Sequence, residues 1–284
     1  MIFRAFLALL CLSTGSASAD QHVSGSFQRN QFASCRAVFL RATSGVFVPQ
    51  REYLVLIDRT VQLDPALNSK IALRAARAVR PGDRVRIVSF SALTESDFTT
   101  EEFYGDLDRE PSEDELEDDI PARLIGAAQK CFARQRENAR NKVREVVEHL
   151  LANPTPSAQR SQIMLALTNA SRSLLRRATA DRIVLIVSDM LENSDIVSFY
   201  RGGALEALDV DRTVSLARRS HLLGDFSNAR LFVAGAGAVP AGGAVRSVNS
   251  RQRLYAFWRA WFGASNGQLP PAAWGDPDLV NDIE

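Results

Sequence analysis

The chain has 284 residues, with 34 Lys and Arg against 33 Asp and Glu, a formal net charge of +1 and 46% hydrophobic residues. This length suits one large domain or a domain with an elaborate insertion. The near-neutral balance carries no electrostatic footprint for nucleic acid or an anionic membrane, so neither is expected as a partner. Lysine occurs only at Lys70, Lys130 and Lys142, and the Arg excess reads as genomic base composition.

Residues 1–19 carry one cation, Arg4, then an apolar stretch from Ala5 to Leu12 and small residues ending in Ala17-Ser18-Ala19. That pattern predicts a secretory signal peptide cleaved before Asp20. Cys11 follows Leu10, where a lipoprotein signal wants a small residue, so no lipid anchor is expected. No later segment reaches the roughly 20 apolar residues of a spanning helix. The mature chain is therefore expected to be exported, periplasmic or secreted, with no transmembrane segment. Residues 20–50 read as an N-terminal arm. Two cysteines survive processing, Cys35 and Cys131; an oxidising compartment lets them pair, and the alternative is two buried free thiols.

Tyr53 to Ile57 begins a series of buried strands rich in Val and Ile, continued by Val85 to Phe90, Ile183 to Val187 and a shorter Leu231 to Val233. Helical patterns lie between them. They run from Pro65 to Val79 before Pro81-Gly82, from Ala139 to Leu151 before Asn153-Pro154, and from Gln162 to Arg177. Alternating strands and helices predict an α/β fold, doubly wound, with a mostly parallel central sheet flanked by helices, over residues 51–264. Loops following the strands then share one sheet edge, where open α/β sheets bind ligands.

The pattern breaks between Ala92 and Gln129, read as an insertion. Within it Gly105 to Pro121 holds nine acids and one Arg. Without EF-hand spacing this run reads as a solvated segment leaning on the cationic helix that carries Arg134, Arg136, Arg140, Lys142 and Arg144, rather than as a calcium site. Near the C-terminus Leu254, Phe257, Trp258, Trp261 and Phe262 repeat at helical spacing, an aromatic stripe that reads as core packing. Residues 265–284 read as an extended tail wrapping the domain.

Asp58 and Asp189 each stand directly after an apolar strand run, in LVLIDRT and IVLIVSDM. Neighbouring strands would deliver both carboxylates to one sheet edge, an oxygen-donor arrangement suited to a hard cation such as Mg²⁺.

On these residues the chain resembles a von Willebrand factor A-type domain. Such domains form a metal-ion-dependent adhesion site from a D-x-S-x-S motif after the first strand, a Thr from a later loop and an Asp after a further strand. The resemblance covers roughly Arg51 to Gly237 and implies a site of Asp58, Thr60, Gln62, Ser161 and Asp189, holding Mg²⁺ or Mn²⁺. SDMLENSD followed by SFY resembles an exported bacterial branch of that family whose members share a C-terminal aromatic helix. Thr60 and Ser161 exchange one hydroxyl for another. Gln62 is a departure, because it offers an amide oxygen on a longer side chain where a short hydroxyl is usual, which makes the site degenerate.

Other chemistries fit these residues less well. Haloacid dehalogenase-like phosphatases need D-x-D-x-T, and Thr60 stands where the second Asp belongs. VAGAGAVPAGG, Val233 to Gly243, resembles a dinucleotide loop, but Pro240 replaces its third glycine. His22, His149 and His221 accompany no nucleophile elbow or zinc motif. The expected function is a non-enzymatic interaction module docking a protein partner through the cation. The alternatives are a metal-dependent hydrolase using the same aspartates, or a structural subunit of an envelope assembly.

Overall fold

The computed structural model describes residues 32–40, 47–91, 99–155, 161–175, 179, 181–200, 204–205, 207–238 and 247–284. The expected signal peptide lies outside them. In chain order the elements are α1 (Cys35–Phe39), β1 (Arg51–Asp58), α2 (Pro65–Arg77), β2 (Asp83–Phe90), β3 (Thr99–Asp106), α3 (Glu113–Asp118), α4 (Ile125–Ala152), α5 (Ile163–Leu175), β4 (Asp181–Val187), α6 (Val210–Arg219), β5 (Arg230–Ala234) and α7 (Val248–Ala264). The sheet has the order β3-β2-β1-β4-β5. β1 pairs in parallel with β2 and β4, β4 in parallel with β5, and β3 closes one edge antiparallel to β2.

Side-chain alternation along β1 sends Tyr53, Val55 and Ile57 to one face, against Ile71 of α2 and Val143 and Val147 of α4. Leu54 and Leu56 point to the other face, against Ile163 and Leu167 of α5 and Trp258 and Phe262 of α7. Both faces are covered, so the parallel strands are apolar throughout and lack the polar alternation of a one-sided sheet. The predicted α/β architecture is the one found.

Three elements depart from the sequence reading. Residues 99–106, inside the stretch read as an insertion, form the fifth strand. Its sequence TTEEFYGD carries no Val or Ile, and only Phe103 and Gly105 are buried. Arg84 pairs with Asp106 and Arg86 with Glu101 across the β2–β3 ladder, so charge pairing replaces the apolar signature of a strand. α4 extends fourteen residues further toward the N-terminus than its Val- and Leu-rich half suggested, because Ala128, Phe132 and Gln135 continue the same buried face with smaller or polar residues. α6 was not foreseen. Asp209 caps it, and only Thr213 and Ala217 are buried along its ten residues.

The start of the sheet is locked by charge. The Arg51 guanidinium donates to both carboxylate oxygens of Asp83, Nε at 2.8 Å and Nη2 at 2.7 Å, and to the Ala78 carbonyl. Bidentate geometry of this kind fixes the relative position of two strands as well as neutralising a buried acid. At the other margin the C-terminal tail runs beside β5, bridging Arg230 to Gln268 and Val233 to Trp274.

The acidic segment does lean on its neighbours. Glu115 of α3 accepts from Arg36 and from Arg109, and Arg136 of α4 reaches Glu110. Ser112 and Glu115 form a capping box at the start of α3. Beneath it, Cys35 and Cys131 are joined in a disulfide across a sequence separation of 96. A loop of that length gives the cross-link a large entropic effect on the unfolded chain, about 4–5 kcal/mol in the chain-entropy picture. Replacing both cysteines by Ser is expected to lower the unfolding free energy in urea by about 3–5 kcal/mol; a loss under about 1 kcal/mol would mean that other contacts hold the arm.

Candidate functional site

β1 and β4 run side by side in register, Ile57 opposite Val187, so their next residues meet at the carboxyl edge of the sheet. There Ser188 Oγ donates to Asp58 Oδ2 at 2.8 Å, while the Thr60 amide and hydroxyl donate to Asp58 Oδ1 at 2.9 and 2.6 Å. Asp189 is held one residue further on. Its Oδ1 accepts the Leu191 amide at 2.9 Å and its Oδ2 the Tyr200 hydroxyl at 3.2 Å. Asp58 and Asp189 are buried, with 1% and 5% of their surface exposed. Among the described residues, no Lys or Arg forms an ion pair with either.

Ser161, directly before α5, is also buried and lines a cavity of about 10 Å³ together with Asp58, Thr60, Phe90, Ser91 and Gln162. That space is close to what one water needs. The structure thus gathers Asp58, Thr60 and Ser161 around one cavity and sets Asp189 beside Asp58 through the adjoining strand. Gln62 is exposed and does not line the cavity; Gln162 does. The neighbouring Arg59 is turned to the C-terminal end of α4, where its guanidinium donates to the Asn153 carbonyl at 2.9 Å.

Three residues that the sequence reading did not assign complete the edge. Glu192 is fully buried, and its Oε2 accepts the Met164 amide at 2.8 Å, so a carboxylate caps the start of α5 just beyond Ser161. Ser161 is itself bridged to Asn193, whose amide donates to the Ser161 carbonyl. Tyr200 supplies the hydroxyl on Asp189. Trp258 of α7 donates its indole N–H to the Met190 carbonyl at 2.8 Å, pinning a residue whose φ of 60° lies in the left-handed region. The aromatic stripe does pack the core, and it also holds the loop that carries Asp189. The motif SDMLENSD contains Glu192, but nothing in its spacing says that the acid turns inward.

The glycine-rich loop after β5 has a structural assignment. Gly235, at φ of 91°, passes close to Ser188, where an added Cβ would lie 3.2 Å from the Ser188 carbonyl oxygen. The amides of Gly235, Ala236 and Gly237 donate to the carbonyls of Pro277, Gly275 and Asp189. These donors tie the tail and the Asp189 loop together and are not directed at a phosphate. Pro240 to Gly243 lie outside the described residues.

Electrostatically the edge is frustrated. Burial raises the pKa of Asp58 against the pull of the Thr60 and Ser188 hydrogen bonds. Asp189 is pushed up to about 8, first by burial and then by the charge of Asp58. Glu192 is pushed up to about 7 by burial, with Asp58 a smaller contributor. Groups displaced this way, next to one another at a sheet edge, make this edge the candidate functional site.

No known protein-family profile matches the chain, and no curated protein does. Among solved structures, the chain is similar to an aerotolerance-related membrane protein from Bacteroides fragilis, carrying multiple mutations to serine, at 13% identity and a TM-score of 0.36 over 82% of this chain and 92% of that one.

The sign of the pH dependence follows. Asp189 and Glu192 hold protons in the folded state that the unfolded chain, with carboxyl pKa values near 4, releases. Their stabilising contribution is present below about pH 4 and is lost as pH rises through about 7 and 8. In EDTA the melting temperature should fall between pH 6 and pH 9, and Asp189→Asn should flatten that fall; a wild-type melting temperature that rises over this range would contradict the assignment.

Proposed function

We propose that the chain is an exported protein-interaction module of the von Willebrand factor A type, whose sheet edge binds a divalent cation through Asp58, Thr60, Ser161 and Asp189 and docks a protein partner there. The observation that carries this reading is the pair of buried carboxylates at adjacent strand ends with no basic side chain paired to either. Buried charges are normally paired or bound to metal, and here the balancing charge is not supplied by the described residues.

The donors fit a hard cation. Two carboxylates and two hydroxyls are oxygen ligands only, the set that suits Mg²⁺ or Mn²⁺ and not a thiolate or imidazole metal. Asp58 and Asp189 would supply the charge, and the Thr60 and Ser161 hydroxyls neutral coordination. Gln62 is left out of this set because its side chain lies at the surface, so the longer amide is a tolerated change outside the site rather than a poor ligand within it. When bound, the cation would supply a coordination position for an acidic side chain of the partner. Ser188, Tyr200 and Trp258 act as positioning residues. They orient the two carboxylates and fix the loop between them. Export is supported by the Cys35–Cys131 disulfide, which suits an oxidising compartment. Among the described residues no helix is long and apolar enough to cross a membrane.

Calorimetric titration of the metal-free mature chain with Mg²⁺ and Mn²⁺ at pH 8 tests this reading. Wild type should release metal-dependent heat and gain about 2.7 kcal/mol of stability at a cation concentration near 100 Kd. Asp58→Ala and Asp189→Asn should abolish both, and Gln62→Ala should change neither. A wild-type protein silent to both cations sinks the metal-mediated version, while Asp58-dependent turnover of a phosphate or carboxylic ester would replace the binding module with a hydrolase.

A further inference from the structure

A second site lies on α4, independent of the sheet edge. Here a groove of about 770 Å³ runs between α4 and the segment that carries α1. One wall is apolar, built from Phe32, Phe39 and the Cys35–Cys131 disulfide; the other carries Lys130, Arg134, Asn138 and Lys142. These four are spaced four residues apart, so they form a single stripe along the helix, with a rise of about 6 Å from one to the next.

The charges on this stripe differ from their neighbours in what they touch. Arg136 reaches Glu110, Arg140 donates to the Val79 carbonyl, and Lys142 lies 3.2 Å from Glu145. The nearby acids of α3 are engaged as well, Glu115 by Arg36 and Arg109. Lys130 and Arg134 are exposed, and among the described residues neither side chain makes a hydrogen bond or an ion pair. Of the three cations that face the groove, Lys130 and Arg134 are thus the ones no described residue engages, while Lys142 shares its charge with the exposed Glu145.

We infer that this groove binds an extended acidic peptide segment of a protein partner, its carboxylates on Lys130, Arg134 and Lys142 and its intervening apolar side chains against Phe32 and Phe39. Alternate side chains of an extended chain recur at about 6.4–6.8 Å, close to the pitch of the stripe, so every second residue can meet a cation. Asn138, between two of those cations, offers both a donor and an acceptor to the peptide backbone. A row of charges along a line suits a strand-like ligand better than a single phosphate headgroup, which wants its cations convergent on one point. The disulfide is part of the groove because it fixes α1 against α4, and so sets the distance between the two walls.

The probe is a fluorescein-labelled heptapeptide, Glu-Val-Glu-Phe-Glu-Val-Glu, titrated by anisotropy against the mature disulfide-bonded chain in 50 mM salt. Its Gln-substituted counterpart and vesicles containing phosphatidylglycerol serve as rivals. Saturable binding of the acidic peptide is expected, at least tenfold tighter than the Gln version, and weakened at least tenfold by Lys130→Glu with Arg134→Glu. Phe39→Ala should also weaken it, and Asp58→Ala should leave it unchanged, which separates this site from the one at the sheet edge. Both cations are exposed, so the charge-reversed protein should fold, as an unchanged circular dichroism spectrum will show. The inference is overturned if the acidic peptide does not bind, if the Gln peptide binds equally well, if charge reversal has no effect, or if the vesicles bind through the same two cations while the peptide does not.

Discussion

Two carboxylates buried side by side, with no Lys or Arg paired to either among the described residues, are the constraint around which this molecule is arranged. Parallel pairing of β1 with β4 brings Asp58 and Asp189 to one edge, and the register places Ser188 where it can donate to Asp58. The groups nearby then hold two buried acids in place. Thr60 holds one oxygen of Asp58, and Tyr200 and the Leu191 amide hold Asp189. Trp258 and Gly237 grip the backbone of the loop between, the first at the Met190 carbonyl and the second at the Asp189 carbonyl.

The two ends of the sheet treat charge differently. At the start of the strands Asp83 is matched by the Arg51 guanidinium, Asp106 by Arg84, and Glu101 by Arg86. Asp83 is also pushed up by burial, but Arg51 acts against that shift. At the opposite end Asp58, Asp189 and Glu192 are buried, and among the described residues hydrogen-bond donors, not bases, face them. A buried acid matched by a base stays ionised and structural, whereas an unmatched one is pushed toward its neutral form until a counter-charge is supplied. That contrast within one sheet is why the edge at Asp58 and Asp189 reads as the working end. The cavity of about 10 Å³ beside Asp58 takes its polar lining from Asp58, Thr60, Ser91, Ser161 and Gln162, with Phe90 and Ala166 closing it.

How far the sequence revealed this depended on which physical signal each residue carried. β1, β2, β4 and β5 were legible because a strand covered on both faces must be apolar throughout, and Asp58 and Asp189 stood out as the first acids after such runs. Thr60 and Ser161 came from the family pattern, and both line the cavity. β3 was not legible, since TTEEFYGD earns its place by pairing Glu101 and Asp106 with arginines of β2, a contact between residues distant in sequence. α6 was missed because it buries only two small side chains. Glu192 resembles a surface residue in any local window; its burial comes from the loop after β4 folding back on itself, through the Phe199 amide and the Glu192 carbonyl, a fold that also carries the hydroxyl of the exposed Tyr200 to Asp189. Trp258 was legible as core but not as a hydrogen-bond donor, because the spacing of a stripe says which face is apolar and nothing about where an indole N–H points. Gln62 shows the reverse case. Aligned with a motif it reads as a ligand, whereas in the structure it is exposed and does not line the cavity of Asp58, Thr60 and Ser161.

The most direct test of the buried, unmatched pair is to follow the carboxyl carbons of Asp58 and Asp189 by ¹³C NMR across pH 4 to 10, with and without Mg²⁺. The account predicts that Asp189 titrates near 8 in the metal-free protein and stays ionised across the whole range once the cation is added. An Asp189 that titrates near pH 4, the ordinary range for an exposed carboxyl, and does not respond to Mg²⁺ would contradict it.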